Sequence, residues 1–139
     1  MTIIERLRQY KELDPHKIAL IVDDKKYTYG DLYDAILSID INETSRIVNV
    51  AQTKESPKHI VALIQSQSFV EQLVQWLGVL YTGYIPMVCH NEMDTEYVEK
   101  LARFIAYKGV VPLADFGVLT SGTTGRPKPL WPVSYTHLR

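Results

Sequence analysis

The chain has 139 residues, 46% of them apolar and 22% charged, with a formal net charge of −1. That size suits one domain with one core, and that balance is globular rather than disordered. Near-neutral charge excludes a general attraction to nucleic acid or acidic lipid, and a single cysteine, Cys89, excludes an internal disulfide framework.

Residues 1–10 carry Glu5, Arg6 and Arg8 among their apolar residues, which breaks the apolar core a signal peptide needs. No apolar run approaches membrane-spanning length, so the expected setting is cytoplasmic, with no transmembrane segment. Thr2-Ile3-Ile4-Glu5 has capping-box spacing and predicts a helix bearing Ile4, Leu7 and Tyr10, ended by Asp14-Pro15. The β-branched run Ile18–Val22, a polar turn over 23–26 and Tyr27 predict a hairpin. Thr28 is placed to cap a helix through Leu32, Ala35 and Ile36. A break over 42–45, a strand over 46–51 and a polar connection over 53–58 follow.

The centre is the most regular part. Residues 59–65 predict a buried strand, and Ser68 a cap for a helix to Tyr81 that is apolar nearly all round, with Glu71 its only charge. Such a helix must be covered on more than one side. Gly83 supplies its left-handed stop and residues 84–88 a second buried strand. Strand, helix and strand make a βαβ unit, hence a parallel sheet with a right-handed crossover. Asn91 then predicts a capped helix over 92–107 with Glu96–Lys100 and Glu99–Arg103 at i, i+4 spacing, ended by Gly109. A short strand over 110–113 precedes a segment, 116–120, that leads into the most informative part of the chain.

Residues 119–128 read Leu-Thr-Ser-Gly-Thr-Thr-Gly-Arg-Pro-Lys. Four hydroxyl side chains around two glycines suit neither a helix nor a strand interior. Glycine lets successive N–H groups turn toward one point, and serine and threonine add short donors to the same concave surface. That surface suits the oxygens of a polyphosphate. The spacing is not that of a Walker A loop, because two residues rather than four separate Gly122 from Gly125 and Pro129 follows Lys128. Nor do the glycines open a helix after a first strand, as in a dinucleotide fingerprint. A composition of this kind alone would mean only a solvated turn. The order of the residues is far more specific than the composition. Asp115-Phe116-Gly117 lacks the other parts of a kinase, and Cys89-His90 has no second pair at metal-ligand spacing.

The loop resembles the phosphate-loop signature of the AMP-forming adenylating enzymes, the superfamily of acyl-CoA synthetases, nonribosomal-peptide adenylation domains and luciferases. Ile18-Ala19-Leu20 with Tyr27-Thr28-Tyr29-Gly30-Asp31-Leu32 looks like that family's opening hairpin and first helix. Residues 59–87, with Gly83 and Pro86, look like its first βαβ unit. The likeness runs in the family's order from about residue 15 to about residue 130.

The resemblance implies an α/β fold: a mostly parallel sheet with flanking helices, the incomplete N-terminal part of the family's large domain. Thr120, Ser121, Gly122, Thr123, Thr124 and Gly125 would cradle the β- and γ-phosphates of ATP, with Lys128 fixing the loop or neutralising charge. The parent enzyme would activate a carboxylic acid with ATP to an acyl-adenylate and pass it to a thiol. Coenzyme A is the first expectation, as in a fatty acyl-CoA synthetase. An adenylation domain that loads a carrier-protein phosphopantetheine is one alternative, and a small nucleotide-binding module without chemistry is another. The family's adenine, ribose and Mg²⁺ contacts and its catalytic lysine follow the loop, whereas this chain ends eleven residues after Lys128. No catalytic or metal-ligating residue is therefore assigned within it, and the chain alone is expected to be inactive. Leu119 stands where an aromatic residue is usual and Pro129 where a glycine is usual, and the segment between the 92–107 helix and the loop is short for the family. Residues 133–139 resemble a translated library-adapter sequence, so the expected domain is 1–131, with 132–139 a non-native tail.

Overall fold

A computed structural model describes residues 2–50, 60–108, 114–119 and 128–132. The first two helices start where the sequence places their caps. In α1 (Ile3–Leu13) the Thr2 hydroxyl accepts the Glu5 N–H at 3.2 Å while the Glu5 carboxylate takes the Thr2 N–H at 3.3 Å. In α2 (Tyr29–Ser38) Thr28 and Asp31 repeat that exchange. Between them β1 (Ile18–Val22) and β2 (Lys25–Thr28) form an antiparallel hairpin closed by Asp23 and Asp24, both at positive φ. Two left-handed residues in a two-residue loop twist the strands the right way, and aspartate tolerates that region better than most residues. The turn is therefore tighter than 23–26.

The 42–45 break is itself structured. Asp40 accepts the Asn42 N–H and opens a single helical turn, α3 (Ile41–Thr44), that delivers the chain to β3 (Ser45–Asn49). β3 pairs antiparallel with β4 (Ile60–Ile64), and β4 pairs parallel with β5 (Ile85–Val88). α4 (Phe69–Thr82) joins the parallel pair, capped by Ser68 and stopped by Gly83 at φ 88. Strand, helix and strand thus form the βαβ unit that the pattern 59–88 encodes.

Strand alternation decides which layer each side chain joins. Val61, Leu63, Ile85 and Met87 face α5 (Thr95–Lys108), packing with Val98, Leu101, Ala102 and Ile105. Ala62 and Ile64 face the other way, onto Val79 of α4 and Ile41 of α3. A second surface of α4, through Leu73, Val74 and Leu77, packs on Leu32 and Ile36 of α2. This double cover is why α4 can be apolar nearly all round, although Phe69 and Tyr81 at its ends remain half exposed.

Two expectations about α5 are corrected. It begins at Thr95, not at Glu92, because the Asp94 carboxylate accepts the Tyr97 N–H at 2.7 Å and so satisfies its first turn. Glu96 does pair with Lys100, at 3.4 Å. Glu99 instead takes the Arg46 guanidinium of β3 in a two-point contact at 2.7 and 3.1 Å, tying α5 to the sheet. That hydrogen bond holds the Glu99 carboxyl below the usual carboxylate range, with a weaker pull from Arg103. The residues expected to connect 53–58, to stop α5 (Gly109) and to form the 110–113 strand lie outside the described residues.

Candidate functional site

Three chain segments end on the same side of the sheet. β4 and β5 are parallel, and Gly117 adds a parallel bridge to Met87, its N–H donating to the Pro86 carbonyl at 2.9 Å. Gly117 leads into β6 (Val118–Leu119), which pairs antiparallel with β7 (Pro129–Leu130), Leu119 opposite Pro129. The hydroxyl–glycine loop therefore leaves and re-enters through a short two-stranded neck at the carboxyl edge of the parallel strands. In open α/β sheets that edge is where ligands bind.

Glycine is required at the base of this neck. A Cβ on Gly117 would lie 2.4 Å from Met87 Cε and 2.5 Å from the Trp131 ring, so the indole packs directly on backbone. Phe116, one residue earlier, meets Trp76 of α4 with ring centroids 5.9 Å apart. Pro129 is accommodated as the first residue of β7, a strand position where a missing N–H is tolerated. Lys128 is exposed at the exit of the loop. Thr120, Ser121, Gly122, Thr123, Thr124 and Gly125 lie outside the described residues.

Beside the neck is a cleft of about 660 Å³, walled by Leu119, by Phe69 and Gln72 of α4, and by the turns that follow β4 and β5. Those turns are tied together. The Cys89 N–H extends the β4–β5 ladder to the Ile64 carbonyl at 2.8 Å. The Gln65 side-chain amide donates to the carbonyls of both His90 and Met93, each at 2.9 Å. An amide with two N–H groups is the natural clamp for two carbonyls, and it holds the 90–93 turn over the strand ends. Gln65 and the cleft itself are not singled out by the sequence, and His90 enters there only as half of a dismissed metal-binding pair. The signal available was a glutamine directly after four buried residues of β4, where continued apolar character would be expected.

Cys89 and His90 separate as their positions at a strand end suggest: the thiol is fully buried and the imidazole exposed. Burial pushes the Cys89 thiol up to about 11. A thiol that stays protonated in the fold is a poor nucleophile. Alkylating reagents at pH 8 should therefore leave native Cys89 unmodified and label it rapidly in denaturant, as read by mass spectrometry. The same shift sets a sign for stability. The unfolded thiol ionises first, so its contribution is intact below about pH 9 and is lost as pH rises toward 11.

No family model matches the chain. Two curated staphylococcal proteins, each named "Putative long chain fatty acid-CoA ligase VraA", are similar to it in sequence. The Staphylococcus haemolyticus protein is 26% identical over 170 residues, covering 97% of this chain and 34% of its own length. The Staphylococcus epidermidis protein is 25% identical, covering 91% and 30%. The chain thus spans about a third of the relatives it matches. The first alignment runs over 170 positions against 139 residues here, so that relative carries additional residues within the matched region. Among solved structures, the Klebsiella oxytoca NpsA N-terminal subdomain bound to 3-hydroxybenzoyl-AMSN matches with a TM-score of 0.57 at 17% identity, over 93% of this chain and 40% of that one. The Bacillus subtilis O-succinylbenzoate coenzyme A synthetase MenE bound to AMP matches with a TM-score of 0.58 at 17% identity, over 95% and 42%. Sequence likeness and fold agree: the chain carries the N-terminal fold of the AMP-forming adenylating enzymes, the family its loop signature resembles.

Proposed function

We propose that the chain is the N-terminal part of an ATP-dependent ligase that activates a carboxylic acid as its acyl-adenylate and passes the acyl group to the thiol of coenzyme A. In this reading Thr120, Ser121, Gly122, Thr123, Thr124 and Gly125 grip the β- and γ-phosphates, and Lys128 offsets their charge. Residues 1–131 belong to the adenylate-forming domain, and 132–139 lie outside it. The observation that carries the reading is the position of the loop. Its neck stands at the carboxyl edge of the parallel strands, beside a cleft, in a chain similar to ligases.

The chemistry explains the composition. A carboxylate attacking the α-phosphate approaches a group that is already anionic, so donors and cations must mask that charge. A loop made mainly of neutral donors holds the departing pyrophosphate without trapping it. Among the described residues no cluster of His, Cys, Asp or Glu could hold a metal ion. Mg²⁺ would neutralise the phosphates when bound, and the family resemblance places its ligands after the loop. No helix of the described residues is long and apolar enough to cross a membrane. The fatty-acid class of the substrate follows the assignment of the two VraA proteins.

The test is acid-dependent exchange of labelled pyrophosphate into ATP. The complete gene product should catalyse it with long-chain fatty acids and then form the coenzyme A thioester, while the 139-residue chain should catalyse neither. Transfer to a carrier protein in place of coenzyme A would reassign the acceptor. Exchange by the isolated chain would contradict the placement of the catalytic groups elsewhere.

A further inference from the structure

We draw no further inference here: the strongest candidate, the exposed face of α5 on which Phe104 and Tyr107 stand among Lys100, Arg103 and Lys108, carries none because nothing in the structure shows what covers it.

Discussion

Replacement of Gly117 by valine should unseat the neck of the hydroxyl–glycine loop. Even the first carbon of a side chain there would sit 2.4 Å from Met87 Cε and 2.5 and 2.8 Å from two atoms of the Trp131 ring. Met87 is itself fully buried, so its flexible end has nowhere to retreat. The indole is rigid, and moving it detaches the strand that closes the loop. Overpacking of this kind costs about 1–3 kcal/mol, and valine, which is also β-branched, should reach or exceed the upper end. The readout is twofold: a lower urea midpoint, and a red-shifted tryptophan emission as Trp131 leaves the core. Alanine should produce the smaller version of both. Unchanged emission with an unchanged midpoint would mean that Trp131 does not rest on Gly117 in solution.

The second large effect is expected at Ile85. This residue has no exposed surface and sits in β5 between the β4 strand and α5, the centre of the larger core cluster. Truncation to alanine removes three carbons from a packed site and leaves a cavity, a change that costs about 2–5 kcal/mol. Domains of this size have a total stability of about 5–15 kcal/mol, so a large part of the margin would go. The larger figure is expected because rigid neighbours surround the side chain on the strand and helix sides. A loss below about 1 kcal/mol in chemical denaturation would show that β5 is not central to the fold.

What the sequence reveals and what it hides divide along physical lines. The capping boxes at Thr2 and Thr28, the Ser68 cap and the Gly83 stop are local contracts between residues a few positions apart. Each is legible because the partner lies within one helical turn. The βαβ unit is legible for a related reason: only a doubly covered helix and a buried strand tolerate so few charges. The misreadings involve competition among local options or partners far away. Asn91 and Asp94 are both good caps, and Asp94 wins because its carboxylate meets the Tyr97 N–H. Glu99 has a partner at helical spacing in Arg103, yet it chooses Arg46, 53 positions away, whose guanidinium offers two parallel donors.

The candidate site shows the same division. The residues of the proposed phosphate loop stand out by order alone. The cleft beside them does not, because Gln65, His90 and Leu119 are brought together only by strand pairing and by a side chain reaching across 25 positions. Gly117 was visible in the sequence only as part of a misleading triplet. Its importance comes from the tryptophan that folds back over it.

The most direct measurement is binding of pyrophosphate and of ATP with Mg²⁺ to the chain, with and without the loop's own residues. Isothermal titration should detect a single site for each, and substituting Gly122 by valine together with Thr123 by alanine should abolish both while the thermal transition stays in place. Binding that survives that double substitution, or no heat from either ligand with the wild-type chain, would contradict the assignment of the 120–128 segment to a polyphosphate.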